Sequence, residues 1–368
     1  MQIRRMPIEA EAPEELGFSV SINLAESSLA DRKVQDFLVH LPSLELAYHH
    51  HRGLPEFRQE LSRELGTNNP EHVLLTPGAA GALFLLHVGL LSQGSHALVM
   101  HPNYATNLET PWALGCEMQT LDFEWKGEWS FQLETIFRKV RPNTSVISIT
   151  TPHNPTGWTM PWDELMALAD FCHKHNIWLL VDETYRHIPP GPFHLPAASL
   201  NDRVISVSSV SKSLGLPGLR IGWIWCQNEH LMHQLLAAKE QVVLCNGILD
   251  EQLAWIAWQQ RDALFAEAAQ EMTLSRGIVE EWLDREPQVI GSLGKGGAVG
   301  FLNLTDDVDA AQFHSNLLHH HKTYVGPGHW FGFSDAFFRL GFGYPKPNLL
   351  AQGLQNISQT LSDLRAFS

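Results

Sequence analysis

Cysteine is scarce in this chain of 368 residues: there are four, Cys116, Cys172, Cys226 and Cys245, far apart and with no C-x-x-C pair. That spacing offers neither a disulfide framework nor a zinc site, and the four read as reduced core thiols. Charge is also sparse, at 18%, and mostly of one sign: the formal net charge is -15, and no block of Lys or Arg occurs. Such a chain has no general field for nucleic acid or for an anionic membrane surface, so any anionic ligand must be held by a few placed groups. No apolar run approaches the roughly 20 residues of a membrane span. The beginning, MQIRRMPIEAEAPEELG, turns acidic where a signal peptide turns apolar, so the expected location is the cytoplasm. Histidine clusters at His49–His51 and His319–His321 do not replace the missing cysteines, because consecutive residues share no face of a helix or strand; no metal is expected.

What is present is a 44% apolar chain, long enough for a large core and for more than one domain. Short β-branched or apolar runs alternate with helical patterns: HVLLT before GAAGALFLLHVGLL, HALVMH before ATNLETPWALG, TSVISIT before MPWDELMALADFCHKHN, then IWLLVDE and RVISVSS. The alternation predicts an α/β fold, a mainly parallel sheet with helices on both faces, with chemistry in the loops at the carboxyl ends of the strands. Residues from about 229 to 272 read as one long helix bent near Asn246-Gly247. After about residue 285 short strands mix with helices. The expected organisation is a segment 1–40 packing with the small domain, a large domain 41–270 and a small α+β domain 271–368.

Five strand ends carry unusual residues. In TPGAAGAL the chain turns through Gly78 into a helix whose first N–H groups, at Ala79 and Ala80, are free to hold an anion, although such a turn also serves close packing. HPNYATN puts Tyr104 after a strand, where it could stack on a flat ring or simply be a rim aromatic. TTPHNPTGW fixes Asn154 in a loop stiffened by two prolines. WLLVDETYR ends a buried strand on Asp182, a costly place for a carboxylate unless it meets a protonated ring nitrogen, a helix N-terminus, or Arg186 or Arg203. SVSSVSKSLGLPGLRIGW ends another on Lys212. A lysine partly withdrawn from water is expected to have a lowered pKa, which suits imine formation. Ser209, Ser211 and Arg220 supply hydroxyls and a guanidinium suited to phosphate. Taken together these residues describe one ligand, a flat phosphorylated aldehyde with a basic ring nitrogen, and pyridoxal 5'-phosphate meets every demand. Lys212 would carry it as an imine, Asp182 would hold the pyridine nitrogen protonated, and Asn154 with Tyr185 would bind the ring oxygen.

YHHHRGLPEFRQEL, PGAAGAL, HPNY, PHNPTG, VDETY, SVSKSLGLPGLRIGW and FFRLGFG stand in an order and spacing that resembles the class I/II aminotransferases, the fold-type I enzymes dependent on pyridoxal phosphate. The resemblance covers residues 45 to 365 and implies a mostly parallel seven-stranded sheet between helices plus a smaller α+β domain. It further implies a homodimer with shared active sites, in which Tyr48 reaches the cofactor phosphate of the neighbouring subunit. Arg339 would bind the substrate α-carboxylate, a role that an arginine inside an apolar strand suits; otherwise it would pair with an internal acid such as Asp335. The implied reaction moves the α-amino group of an L-amino acid to a 2-oxo acid. One departure stands out: Glu26, Ser27 and Ser28 occupy a place where a glycine is usual, which resembles the branch that includes capreomycidine synthase. That branch implies the alternative of a cyclase, lyase or oxidase acting on an amino acid such as a hydroxylated arginine. Glu26 would either read a cationic side chain or, as the simpler expectation, cap a following helix. Trp112, Trp158, Trp330 and Phe331 are candidates for the pocket lining or for the core. A regulatory, DNA-binding role is opposed by the lack of a helix-turn-helix pattern and of a basic region.

Overall fold

The computed structural model describes residues 3–17, 19–37, 43–188 and 194–366. Its centre is a seven-stranded sheet of β1 (Val73–Pro77), β2 (His96–His101), β3 (Glu117–Asp122), β4 (Thr144–Thr150), β5 (Trp178–Asp182), β6 (Val204–Ser209) and β7 (Ile221–Cys226), in the spatial order β1-β7-β6-β5-β4-β2-β3. All neighbouring pairs are parallel except those of β7, which runs antiparallel to both β1 and β6. Leu179, Leu180 and Val181 of β5 are wholly enclosed, as are Leu74 and Leu75 of β1. Continuous apolar runs of this kind mark strands covered on both faces, here by helices that include α1 (Gly78–Leu90), α2 (Ala105–Ala113) and α3 (Trp162–Lys174).

The helix expected from about 229 to 272 is three helices: α4 (Glu229–Val242), α5 (Ile248–Gln259) and α6 (Arg261–Leu283). The first break falls beside the expected bend. There Asn246 leaves the helical path because its carbonyl meets His49 Nε2 at 2.9 Å and its amide donates to Glu251 at 2.7 Å. The second break, at Gln260, left no trace in the pattern, because Ala254, Ala257 and Trp258 before it and Leu264 after it enter one apolar cluster. Phe57, Trp223 and Trp258 meet in that cluster at centroid separations of 5.2 to 5.9 Å, each worth roughly 2–3 kcal/mol when buried.

A second, antiparallel sheet joins β8 (Val289–Ile290), β9 (Val299–Leu304), β10 (Gly326–Pro327) and β11 (Phe337–Gly341) in the order β8-β9-β11-β10. The helices α7 (Ala310–His321) and α8 (Pro347–Ala366) share its core, with Phe313, Phe338 and Leu354 in one cluster. Helix α6 runs unbroken through residue 270, and the boundary expected at residue 40 lies outside the described residues. The N-terminal segment touches both sheets' territories. Ile22–Asn23 pairs in parallel with Thr323–Tyr324, while Arg4 forms an ion pair with Glu109 of α2. Among the described residues no helix is long and apolar enough to cross a membrane.

Candidate active site

The carboxyl ends of β4, β5 and β6 and the start of α1 open onto a cavity of about 570 Å³. Ala79, Ala80, Tyr104, Asn154, Asp182, Tyr185, Ser209, Ser211, Lys212 and Arg220 all line it, as do Glu26 and Arg339. Twelve residues singled out between positions 26 and 339 thus converge on one space. Gly78 lies just behind it: a Cβ there would come within 2.5 Å of Arg220 Nη2, and its φ of +72° suits glycine alone. Gly222 allows the same approach from β7, since a Cβ would sit 2.7 Å from the Ala79 nitrogen. Arg220 itself has φ +51°, left-handed strain that turns its side chain over the α1 N-terminus. Its guanidinium has no carboxylate partner among the described residues; it donates to Pro217 O at 3.0 Å.

Asp182 is 5% exposed. Arg186 pairs with Glu183 and Glu64 instead, and Arg203 lies over the Trp178 ring, so neither expected ion pair forms. No helix starts at Asp182 either; its Oδ1 accepts from the Thr184 N–H and hydroxyl at 3.1 and 2.6 Å. Burial raises its pKa, against the opposing hydrogen bonds from Thr184. A buried carboxylate without a cation, at the floor of a cavity, is suited to a protonated ring nitrogen.

Arg339, on β11, is 3% exposed and donates to Asn154 Oδ1 at 3.0 Å and to the Ala25 carbonyl. Its Nε is buried without a partner, and its guanidinium carbon lies 5.1 Å from the Phe331 ring. The expected alternative partner, Asp335, is engaged elsewhere, by His329 Nδ1 at 2.8 Å. Burial lowers the Arg339 pKa, against Tyr185 and Glu26, and among the described residues no carboxylate forms an ion pair with it. The Asn154 loop is held by His153, whose ring bonds Thr156 and the Pro102 carbonyl, each at 2.8 Å. Buried Asn103 fixes the neighbouring loop by accepting from Tyr104 N–H at 2.7 Å and from Thr150 at 3.1 Å.

Two expectations about charge are corrected. Glu26 caps no helix, because the chain after it stays irregular up to Val34; its Oε1 accepts from Ser27 N–H at 2.7 Å and from Lys212 Nζ at 2.9 Å. Burial opposes ionisation of Glu26, yet the Lys212 ammonium pulls its pKa down to about 2. Conversely, burial favours a low pKa for Lys212, but Glu26 and Tyr185 outweigh it and the value is raised. The expected lowering presupposed a lysine without a counter-ion.

Tyr48 is 84% exposed and outside the cavity. Of the four candidate aromatics only Trp330 lines it; Trp158 packs on Phe123 and Phe131, Phe331 backs Arg339, and Trp112 lies under Arg4. Of the histidine clusters, His49 and His51 bond Asn246 O and Glu240, and His319–His321 lie in the last turn of α7. Among the described residues no group of three or more potential ligands could hold a metal ion.

Sequence reasoning missed the cavity's other wall. Met6, Ile8, Glu9, Ala12, Pro13 and Glu14 of the N-terminal segment cover it. Tyr104 donates to Glu9 at 2.9 Å, while Glu11 is held by His329 Nε2 at 2.8 Å and Trp330 Nε1 at 2.9 Å. The departure from glycine at Glu26 was the one signal in the sequence that this wall is unusual.

The family model for aminotransferase class I and II matches residues 18–357. Capreomycidine synthase of Streptomyces vinaceus is 29% identical over 297 residues, covering 79% of this chain and 75% of that protein. A crystal structure of a PLP-dependent aminotransferase from Streptococcus suis matches with a TM-score of 0.90 at 26% identity, covering 99% of both chains. The structure of the PLP-dependent cyclase OrfR shares the fold, with a TM-score of 0.87 at 22% identity over 100% of this chain and 99% of that one. With a match that spans both sheets and a cavity whose orphaned carboxylate, open helix N-terminus and lysine suit the cofactor, the chain belongs to the class I and II aminotransferase family, enzymes that depend on pyridoxal 5'-phosphate.

Proposed function

We propose that the protein is an aminotransferase that moves the α-amino group of an L-amino acid to a 2-oxo acid. The observation that carries this reading is Arg339: a buried guanidinium with an open Nε, on the same cavity as Lys212 and Asn154, and with no carboxylate in an ion pair with it among the described residues. A substrate α-carboxylate supplies the missing anion through charge-assisted hydrogen bonds.

Bound pyridoxal phosphate supplies an electron sink for the negative charge left when a proton leaves the substrate Cα. Asp182 would hold the proton on the ring nitrogen, and Asn154 and Tyr185 would hydrogen-bond the ring oxygen. The Ala79 and Ala80 N–H groups, Ser209, Ser211 and Arg220 would hold the phosphate, with Gly78 giving the turn its close approach. Tyr104, on the same cavity, would stack on the ring. Lys212 would anchor the cofactor and, once freed by the substrate amine, would be the base that takes the Cα proton. In a homodimer, Tyr48 of each subunit would complete the phosphate site of the other; the exposure of Tyr48 and of Leu46, two residues before it, suits a covered face.

A second reading, a cyclase, lyase or oxidase of the same fold, is favoured by one observation, the Glu26 carboxylate on the cavity wall, where it could also meet a cationic substrate side chain. The test is a single turnover with L-amino acids and no oxo acid. One equivalent of 2-oxo acid per site, with the cofactor recovered as pyridoxamine phosphate, supports the aminotransferase. Product formation with the cofactor recovered as pyridoxal phosphate supports the second reading.

A further inference from the structure

Glu26 and Lys212 are 186 positions apart, yet the Glu26 carboxylate meets Nζ at 2.9 Å, and the segment that carries it is held on several sides. The Glu26 N–H and that of Ala25 donate to Asn23 Oδ1 at 3.2 and 2.9 Å, and the Gly341 N–H donates to Leu24 O at 2.6 Å. On the other side the Leu29 N–H donates to the carbonyl of Lys212 itself at 3.1 Å. A Cβ at Gly341 would lie 1.8 Å from the Glu26 carbonyl oxygen, so β11 packs directly against this segment. The contact is therefore built by three separate parts of the chain. It is not a loose surface pairing of the kind that contributes little.

We propose that Glu26 is the fixed counter-ion of the Lys212 nitrogen, a positioning residue that aims Nζ before the cofactor is attached and keeps positive charge on that nitrogen afterwards. The inference rests on Lys212 as the attachment point. Attachment joins the Lys212 amine to the aldehyde carbon: Nζ first releases a proton to solvent, a C=N bond forms, and the aldehyde oxygen leaves as water. Glu26 is too weak a base to take that proton at neutral pH. It stabilises the cationic form of the nitrogen on both sides of the step, so attachment requires a higher pH and the attached nitrogen holds its proton to a higher pH. The other groups facing the pair are Tyr185, Arg339 and, further out, Asp31 with Tyr344 and Glu14. Arg339 works against the charge on Lys212 and Tyr185 works with Glu26.

The experiment compares wild type, Glu26→Gln and Glu26→Asp in three pH series. Competitive acetylation of Lys212 in the cofactor-free protein, read by mass spectrometry, gives the midpoint of the free amine. The rate of pyridoxal phosphate uptake gives the attachment profile, and the absorbance of the attached cofactor gives the midpoint of the bound nitrogen. Glu26→Gln is expected to lower both midpoints by about 1–2 pH units, the usual effect of an opposite charge at this range. Glu26→Asp, which keeps the charge one methylene further back, falls between the two and serves alone if the Gln variant does not fold. Midpoints in both variants that coincide with wild type overturn the counter-ion role. Failure of the underlying reading looks different: Lys212 then shows its Glu26-dependent midpoint but binds no cofactor.

Discussion

The two walls of the cavity are built on different principles. The wall formed by Ala79, Ala80, Asn154, Asp182, Ser209, Ser211 and Lys212 consists of strand ends and helix starts, each within a short motif and each held by local bonds such as Thr184 to Asp182 or Ser211 N–H to Ser209. The facing wall joins the beginning of the chain to its end: Glu9, Glu14 and Glu26 stand beside Trp330 and Arg339, and Glu11 reaches across to His329. The first wall is rigid because a seven-stranded sheet holds it. The outer part of the second, residues 6–14, depends on a few long-range polar contacts, several of them at the surface. Regions with few buried contacts open at low free-energy cost, so the cofactor side is expected to be permanent and the substrate side adjustable.

Substitutions at the rigid wall should remove chemistry with little loss of structure. Lys212→Ala takes away both the anchor and the base, and amino-group transfer should fall by at least about 10³-fold in a stopped assay. Covalent attachment of the cofactor to the chain, read by borohydride trapping and mass spectrometry, should vanish. Asp182→Asn should lower turnover by roughly 10²–10³-fold, because a neutral amide does not hold the proton on the ring nitrogen. It should nevertheless leave the cofactor-free melting temperature at neutral pH unchanged or higher. Burial raises the Asp182 pKa, and such a group costs stability once the pH exceeds its folded value. A lower melting temperature would show that Asp182 has a structural cation that the cavity does not reveal.

At the facing wall the effects should be on substrate and on closure. Arg339→Ala should reduce kcat/KM for amino acids by about 10²-fold, some 3 kcal/mol, while cofactor absorbance is unaffected. An equal loss of cofactor would place Arg339 on the wrong side of the comparison. The smallest effect belongs to His329, between Glu11 and Asp335 at 2.8 Å each. Burial acts to lower its pKa, but the two carboxylates outweigh this and raise it. Stability from a raised histidine is complete below its unfolded pKa of about 6.5 and is lost as pH rises through the higher folded value. Screening by solvent limits this contact to about 1 kcal/mol or less. Hydrogen exchange in residues 6–14, measured as the ratio of His329→Gln to wild type, should exceed one at pH 6 and approach one at alkaline pH. A ratio independent of pH would mean that the other contacts alone keep the segment closed.

Much of the first wall was legible in the sequence because its determinants are local. A β-branched run, a glycine with positive φ at Gly78, a proline-bound Asn154 and a lysine after a buried strand each carry their meaning within about ten residues. The alternation of strands and helices likewise gives the parallel sheet. What local patterns could not carry were contacts between distant segments. Nothing near Glu26 indicates that it will meet Lys212 rather than a helix N-terminus, since the helix that would have competed for it does not form. The pKa of Lys212 was misjudged for the same reason: burial was foreseeable, its counter-ion was not. The break at Gln260 escaped because the apolar stripe continues through it, and periodicity records which face is buried, not whether the backbone is continuous.

The sequence by itself determined the α/β architecture, the family and the cofactor, because hydrophobic period, turn chemistry and the spacing of a short motif set are properties of neighbouring residues. The tertiary structure alone decided that Met6, Glu9, Glu14 and Glu26 line the cavity, that Arg339 forms no ion pair with Asp335 and that Glu26 neutralises Lys212. These depend on which surfaces meet when the sheets and helices pack, and long-range electrostatics is fixed only once distances are.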